Sequence, residues 1–266
     1  MKILAFSDPH VGGHTKFGKE FGFELFGKVK RVAEKEKPDI VVCLGDLVDP
    51  DALNMTIALE LFQQIPCEHK LMVAGNNDIE QIIRTHKFSE HIQLIAMLAK
   101  RFGVTLLDAG PFTLGDYAFV GNFGFYDLSL WEPSIHPSDK YPKTKDALIA
   151  NAKKIHMDNF GLTVAEVFEG YQEALRSGLK QVAGKKIVLC THTVPTPDML
   201  LYGHSAKYDF QNAWMGFDDS KSADPLINTP GLQMWLCGHD HRNHRIEKKV
   251  PMINVSGREQ PHIFEI

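Results

Sequence analysis

Short apolar runs alternate with helix-like segments from the first residue onward, and this alternation restricts the fold more than any other feature of the 266-residue chain. The runs KILAFSD, DIVVCLGD and KLMVAGNN have the length and character of buried strands. Helical segments separate them near residues 20–37, which Pro38 ends, and in DALNMTIALELFQQ. Helical character returns between about Glu80 and Arg101. Alternation of this kind predicts a layered α/β sheet with crossover helices.

The second half of the chain adds further strands around two longer polar segments. VTLLDAGPFTLGDYAFVGNFGFYD contains β-rich runs broken by Gly and Pro, and later strand candidates are KIVLCTH, MWLCGHD, MINVSG and HIFEI. The clearest helix starts at Thr163, because Glu166 completes a capping box three residues later. No linker separates independent units. We therefore predict one domain over residues 1–266 with insertions near 126–185 and 194–231.

Five of the apolar runs end in polar side chains that can bind metal ions or donate hydrogen bonds. These side chains are Asp8 and His10, Asp46, Asn76 with Asn77 and Asp78, His192, and His239 with His241. The crevice beyond the carboxyl ends of the strands is where open α/β sheets bind ligands, so the five turns would meet at one place. A β-like Gly-His-x-His segment would also aim both of its rings toward the same side.

Each of these polar residues has a simpler explanation when it is taken alone. Asp8 precedes a proline and could start a turn, Asp46 could cap the next helix, and His192 could be a solvated loop histidine. The cluster GNND could be an ordinary turn, because Gly and Asn both tolerate positive φ. The joint occurrence of all five endings favours a common site.

The chemistry of the set is consistent with two metal ions. Two carboxylates, four imidazoles and one amide oxygen form a mixed nitrogen and oxygen set suited to Mn, Fe or Zn. Seven groups exceed the needs of one tetrahedral ion but suit two ions that share a carboxylate. Two divalent cations against two carboxylates leave an excess of about two positive charges, which suits an anionic substrate such as a phosphoester.

Charge and cysteine content restrict the partners and the compartment. The formal net charge of −4 and the pI near 6.3 do not indicate a nucleic-acid-binding protein, although a local basic groove would allow a nuclease. No apolar run approaches the roughly 18 residues of a membrane span. The apolar stretch at the N-terminus is too short for the core of a signal peptide. The four cysteines show no CxxC spacing, and three lie in apolar runs, so we expect a cytoplasmic protein. The oligomeric state is not indicated.

The polar endings, taken in order, resemble the motifs of the calcineurin-like metallophosphoesterases. The matching pieces are D-x-H (Asp8, His10), G-D-x-x-D (Gly45, Asp46, Asp49), G-N-x-D (Gly75, Asn76, Asp78), His192, and G-H-x-H (Gly238, His239, His241). They run from residue 8 to residue 241, so the resemblance covers nearly the whole chain. It implies a four-layer α-β-β-α sandwich with two central mixed sheets and a metal site at the carboxyl ends of the strands.

The resemblance also implies roles for single residues. Asp8, His10 and His241 would bind the first metal ion; Asn76, His192 and His239 would bind the second; and Asp46 would bridge the two. A metal-bridging hydroxide above Asp46 would attack phosphorus in line, with Asn76 and the metals steadying the phosphoryl oxygens. Asp46, Asn76 and His192 are thus the expected catalytic residues, and Asp49, Asn77 and Asp78 are expected to support them.

Asn77 departs from the pattern. Many family members carry a histidine there that helps to protonate the leaving group, and an amide has no titratable proton near neutral pH. Without a replacement, the loss of a general acid costs roughly 10²–10⁴-fold in rate. A metal-bound water could replace the acid, and His14 and His204 are the nearest histidine candidates. Aromatic residues of the second insertion, including Tyr202, Tyr208, Phe210, Trp214 and Phe217, could line a substrate cleft or simply pack on the core.

These observations predict a dinuclear metal-dependent phosphoester hydrolase that acts on a small phosphorylated substrate, preferably a phosphodiester. The alternatives are a phosphomonoesterase or a nuclease of the same family. A non-catalytic metal-binding scaffold is the alternative from another class, and the presence of all seven ligand candidates argues against it.

Overall fold

The protein is described by a computed structural model over residues 1–13, 20–49, 52–83, 88–131, 144–152, 162–200, 211–257 and 259–266. The candidate proton donors His14 and His204 lie outside these residues, as do Tyr202, Tyr208 and Phe210 of the second insertion.

The first sheet contains five strands in the order β11-β1-β2-β3-β4. Its strands are β1 (Lys2–Phe6), β2 (Ile40–Cys43), β3 (His69–Met72), β4 (Val104–Leu106) and β11 (His262–Glu265). The first four pair in parallel, and β11 pairs antiparallel to β1. The N-terminal strand therefore lies inside the sheet, between β2 and the last strand of the chain.

The second sheet contains six strands in the order β5-β6-β7-β8-β10-β9. Its strands are β5 (Phe112–Leu114), β6 (Tyr117–Asn122), β7 (Lys186–Thr191), β8 (Leu232–Cys237), β9 (His244–Glu247) and β10 (Pro251–Asn254). The four central strands are parallel, and β5 and β9 are antiparallel to their neighbours. Both sheets are mixed, which confirms the prediction.

Six α-helices accompany the sheets in the part of the chain that the structure describes. They are α1 (Phe21–Glu36), α2 (Ala52–Gln63), α3 (Asn76–Ile83), α4 (Phe88–Arg101), α5 (Lys145–Ala152) and α6 (Val164–Gln181). The predicted capping box opens α6: the Glu166 amide donates to the Thr163 hydroxyl (3.2 Å), and the Thr163 amide donates to the Glu166 carboxylate (2.7 Å). Among the described helices, none combines the length and the apolar character of a membrane span.

The core consists of three clusters of buried side chains: one between the two sheets and one on the outer face of each sheet. In β1, Ile3 and Ala5 point between the two sheets, whereas Leu4 and Phe6 point toward the helices. The centroid of the Phe6 ring lies 5.5 Å from that of Phe26 in α1 and 5.4 Å from that of Phe62 in α2. On the other side, α6 covers the outer face of the second sheet. The order helix, sheet, sheet, helix confirms the predicted four-layer sandwich.

The residues after β3 differ from the prediction. We expected the strand to run to Asn77 and helical structure to resume near Glu80, but β3 ends at Met72 and α3 begins at Asn76. The physical reason is Asp78, whose carboxylate accepts a hydrogen bond from the Gly75 amide (2.9 Å) and so stabilises the first turn. The cluster GNND is therefore the start of a helix. The strand β9 was not predicted.

The two predicted insertions lie between β6 and β7 and between β7 and β8. The structure describes α5, α6 and several shorter pieces of them, while residues 132–143, 153–161 and 201–210 lie outside the described part.

The C-terminal segment holds the end of β1 in place. The Ser7 amide donates to Gln260 Oε1 (2.7 Å), and Gln260 Nε2 donates to the Ser7 carbonyl (2.8 Å). Gln260 is buried, and Ser7 directly precedes Asp8. A side chain from the end of the chain thus fixes the backbone beside the first polar residue of the cluster.

Candidate metal centre

The seven candidate ligands all follow strands at one edge of the two sheets. They are Asp8 and His10 after β1, Asp46 after β2, Asn76 after β3, His192 after β7, and His239 and His241 after β8. Because parallel strands present their carboxyl ends on the same side, both sheets contribute to one cluster.

The cluster divides into two groups of donor atoms. The first group is Asp8, His10 and His241, and the second group is Asp46, His192 and His239. Within each group the donor atoms lie within 4.8 Å of one another. Asn76 joins the second group, because its Oδ1 is 3.2 Å from His192 Nε2. Together with Asn76, the two groups contain the seven residues that the family resemblance implies as ligands, and their role in binding metal stays a prediction.

Asp46 lies between the two groups and faces both of them. Its Oδ2 is 3.7 Å from His10 Nε2 in the first group, and its Oδ1 is 3.5 Å from His192 Nε2 in the second group. The carboxylate is buried. A single side chain therefore offers one oxygen to each group.

Partners outside the cluster fix the rings of His10, His192 and His239. His10 Nδ1 is 2.9 Å from Asp49 Oδ1, His192 Nδ1 is 2.7 Å from the Leu44 carbonyl, and His239 Nε2 is 2.8 Å from the Trp214 carbonyl. Each of these partners accepts a hydrogen bond, so each outer ring nitrogen carries the proton. The lone pair of the other nitrogen then points into the cluster, as it does in metal-binding histidines.

The inward nitrogens of each group lie so close together that something positive, a proton or a metal ion, has to stand between them. His10 Nε2 is 3.1 Å from His241 Nε2, and His192 Nε2 is 3.0 Å from His239 Nδ1. Two neutral rings with lone pairs at such distances repel each other, so each pair needs either a shared proton or a metal ion. The donor set therefore fits two cations, one in each group.

The ionisation of the residues shows the same attraction for positive charge. Burial lowers the pKa of His10, but Asp49, Asp46 and Asp8 outweigh it and raise this pKa to about 9. Burial likewise lowers the pKa of His192, and Asp46 reverses the effect to about 9. Burial and the charge of His192 lower the pKa of His239 to about 4. Without metal, His10 and His192 thus each hold a proton that an incoming cation has to displace.

The backbone of the cluster is held in an unusual conformation. Five of the seven candidates adopt positive φ: Asp8 (55°), His10 (46°), Asp46 (51°), His239 (71°) and His241 (57°). Such conformations cost about 1–3 kcal/mol each in non-glycine residues and cluster at functional sites. They also correct one prediction: the Gly-His-x-His segment forms a left-handed turn after β8, so a turn and not β-alternation directs its two rings into the centre.

Asn77 and Asp78 support the cluster in different ways. The Asn77 amide donates to Asp46 Oδ1 (2.9 Å), and its side-chain Nδ2 donates to Asp46 Oδ2 (2.7 Å). Asp78 is buried and accepts from the amides of Val48 (3.2 Å) and Gly75 (2.9 Å), which joins the turns after β2 and β3. A Cβ at Gly75 would overlap Asp46 Oδ1, so the close approach of the two turns requires glycine there.

The aromatic residues near the second group come from both insertions. The Tyr126 ring lies 6.0 Å from the ring of His239 and 5.6 Å from that of Trp214. Trp214 is partly exposed, whereas Phe217 is buried against Trp235. Sequence reasoning missed the carbonyl of Trp214 as a partner of His239, because a main-chain acceptor leaves no residue-type signal.

Replacing Asp49 with alanine is expected to weaken metal binding in the first group. Its carboxylate orients His10 through Nδ1, and partners of this kind are worth about 10- to 100-fold in metal affinity. Calorimetric titration of the metal-free protein with Mn²⁺ would measure the change. An Asp49→Asn variant keeps an acceptor oxygen without the charge and should lose less. Equal affinities in all three proteins would contradict this role.

Comparison with known proteins shows the family to which the chain belongs. The model of the family described as calcineurin-like phosphoesterase matches residues 1–243. An uncharacterized metallophosphoesterase of Aquifex aeolicus is 37% identical over 79 residues. That alignment covers 29% of this chain and 28% of the relative, so it spans less than a third of either protein.

Solved structures share the architecture. The phosphopantetheinyl hydrolase of Mycobacterium tuberculosis superposes with a TM-score of 0.68 at 19% identity, over 96% of this chain and 88% of that protein. A dimetal phosphatase from Danio rerio has a TM-score of 0.55 at 15% identity, over 97% and 87% of the two chains. At these identities the similarity establishes the fold alone.

Proposed function

Because the chain belongs to the calcineurin-like phosphoesterase family, a family of metal-dependent phosphoester hydrolases, we propose that it uses two divalent metal ions to hydrolyse a small phosphodiester. The observation that carries the proposal is the position of Asp46 between two groups of inward-facing imidazoles. One shared carboxylate between two sets of fixed nitrogen donors is the arrangement that a dinuclear site requires.

Each ion would be held by the residues of one group. Asp8, His10 and His241 would bind the first ion; Asn76, His192 and His239 would bind the second; and Asp46 would bridge them. Imidazole with carboxylate and amide oxygen suits Mn, Fe or Zn, and the described part of the centre contains no thiolate. When bound, two such ions supply a nucleophile from water near neutral pH and stabilise the charge on phosphoryl oxygens.

The protein residues would arrange the site for this chemistry. Asp49, Leu44 and Trp214 hold the outer nitrogens of three imidazoles and so keep the donor atoms pointing inward. The strained turns after β1, β2 and β8 fix the backbone of five ligands before any ion arrives. Asn76 is half-buried at the N-terminus of α3, where helix-end amides also favour an anionic phosphate.

The proposed preference for a diester rests on Asn77 together with the analogy to family members that also lack a histidine at this position. Its side chain donates to Asp46, and an amide cannot supply a proton to a departing alkoxide near neutral pH. A site without an acid at this position favours substrates whose leaving groups depart without protonation, such as aryl phosphodiesters. The net charge of −4 gives no support to a nucleic-acid substrate.

The first test is the hydrolysis of bis(p-nitrophenyl) phosphate and of p-nitrophenyl phosphate by the purified protein. We expect Mn²⁺-dependent release of p-nitrophenol from the diester, at a higher kcat/KM than from the monoester. Turnover of the monoester alone would replace the proposal with a phosphomonoesterase. No turnover of either compound with Mn²⁺, Fe²⁺ or Zn²⁺ would favour a metal-binding scaffold instead.

We also propose that the chain acts as a single domain in the cytoplasm. All four cysteines are free, and Cys43, Cys190 and Cys237 are buried. Burial raises the pKa of each of these three thiols, so they are inert core residues that suit a reducing compartment.

A further inference from the structure

Asp108 lies outside the ligand motifs and joins the two sheets close to the metal centre. It belongs to a short 3₁₀ turn directly after β4. Its Oδ2 accepts a hydrogen bond from the Ala74 amide (2.9 Å), and its Oδ1 accepts one from the Phe123 amide (3.1 Å). Ala74 follows β3 of the first sheet, and Phe123 follows β6 of the second sheet. One carboxylate therefore spans both sheets.

Both partners of Asp108 are close to ligands of the second group. On one side, Ala74 stands two residues before Asn76. On the other side, the His192 amide donates to the Asn122 carbonyl (3.3 Å), and Asn122 directly precedes Phe123. The ring centroids of Phe123 and His192 are 5.7 Å apart. Asn76 Oδ1 and His192 Nε2 meet at 3.2 Å. The contacts of Asp108 thus lead to the two strand ends whose ligands must meet.

We propose that Asp108 is a positioning residue for the second metal ion. By binding the Ala74 and Phe123 amides, it fixes the distance between the ligands Asn76 and His192. The inference rests on the two-metal function proposed above. Ligands have to be held within about 0.5 Å of the productive geometry for full affinity. A hydrogen bond on each side of the sheet interface provides that constraint without contact with the ion.

Only a carboxylate can make both contacts. Each of its oxygens accepts from one main-chain amide, whereas an asparagine amide would turn a donor toward one of the two N–H groups. Burial raises the pKa of Asp108 to about 7, whereas the hydrogen bonds from the Ala74 and Phe123 amides act in the opposite direction and favour the carboxylate form. The need for two acceptors in one side chain explains why aspartate occupies the position.

Asp219 provides a matched control. It is a buried aspartate of the second insertion, and its two oxygens accept from the main-chain amides of Leu226 (2.9 Å) and Ile227 (3.0 Å). The bonding pattern is the same as that of Asp108, but neither partner leads to a ligand of the centre. If the loss of two main-chain hydrogen bonds were enough to weaken metal binding, substitution of Asp219 would weaken it as much as substitution of Asp108.

The experiment is a calorimetric titration of the metal-free full chain with Mn²⁺, combined with electron paramagnetic resonance of the spin-coupled ion pair. Asp108→Asn should bind the first ion as the wild type does and bind the second about 10- to 100-fold more weakly, in the range for residues that orient ligands. When the amount of Mn²⁺ equals the total amount of the two sites, the Asp108→Asn protein should lack the electron paramagnetic resonance signal of the spin-coupled pair. Asp219→Asn should bind both ions normally and keep the signal.

Other outcomes would overturn the inference in distinguishable ways. Normal binding of both ions by Asp108→Asn would exclude a positioning role, and equal weakening of both ions would show a merely structural one. A wild-type protein that binds a single ion would refute the two-metal function itself, and the inference with it. If Asp108→Asn does not fold, Asp108→Glu decides, because a cavity of about 190 Å³ beside the residue accepts the added methylene. That variant should also weaken the second ion alone, and normal binding by it would refute the role.

Discussion

An Asp46→Ala variant is expected to lose metal-dependent phosphoester hydrolysis. The Asp46 carboxylate faces His10 with one oxygen and His192 with the other, so its removal weakens both proposed ion sites at once. The loss of a residue that merely orients a ligand costs about 10- to 100-fold in metal affinity, and the loss of a bridging ligand should exceed that for each ion. Since removing one electrostatic stabiliser of a transition state lowers the rate by about 10²–10³-fold, we expect at least that decrease in kcat/KM.

The measurement is the Mn²⁺-dependent rate with an aryl phosphodiester, together with the metal content of the purified variant. Asp116→Ala is the matched control, because Asp116 is an exposed aspartate of the β5–β6 turn, at the opposite end of β6 from the centre. Circular dichroism would verify that both variants are folded. Full activity of a folded Asp46→Ala protein would show that the turnover arises elsewhere and would refute the assignment of the centre.

An Asn77→His variant is expected to hydrolyse phosphodiesters with poor leaving groups faster than the wild type does. The side chain begins in the first turn of α3, beside the proposed ligand Asn76, and is half-buried. A histidine there could donate the proton that asparagine cannot, and a general acid contributes about 10²–10⁴-fold. The main-chain hydrogen bond from residue 77 to Asp46 would remain, so we expect a gain of about 10²-fold for alkyl leaving groups, at the lower end of that range.

The measurement is a plot of log kcat/KM against the pKa of the leaving group for a series of aryl and alkyl phosphodiesters. The wild type should show a steep negative slope, and the histidine variant a shallower one. Asn77→Ala removes the contact with Asp46 without adding an acid, so it should be slower throughout and keep the steep slope. Parallel lines for all three proteins would mean that position 77 does not influence protonation of the leaving group.

The fold follows from features that a single sequence displays clearly. Alternating apolar runs and helices specify layers, because each strand has to cover both of its faces and each helix buries one stripe. Ile3 and Leu4 are adjacent in sequence yet belong to different layers, and both are apolar because β1 is covered on both sides. The candidate ligands are equally visible, since polar residues directly after such strands can only lie at the carboxyl edge of the sheet. Their roles in binding metal remain predictions.

Other features depend on contacts between distant segments and leave no local pattern. Asp78 looks like part of a turn in the sequence, yet its carboxylate also accepts from the Val48 amide, 30 residues away, and so joins the start of α3 to the turn after β2. The left-handed turn at His239 arises where the chain leaves β8, and its amide donates to Asp8 Oδ2 (3.0 Å), which lies 231 residues away. Asp108 stands among ordinary loop residues, and its two amide partners are 34 and 15 residues away. Main-chain partners of this kind cannot be identified by residue type.

The pairing of the two chain ends has a consequence for when the centre can form during synthesis. A growing chain emerges from the ribosome with its N-terminus first, at about 5–20 residues per second. Asp8 therefore emerges early, whereas His241, which completes its group, and Gln260, which binds the neighbouring Ser7, emerge much later. The strand β1 also waits for β11 on one of its sides. The complete centre can therefore bind metal only after residue 260 has emerged, and a ribosome-stalled chain that stops before His241 would carry the ligands that follow β1 without their final geometry.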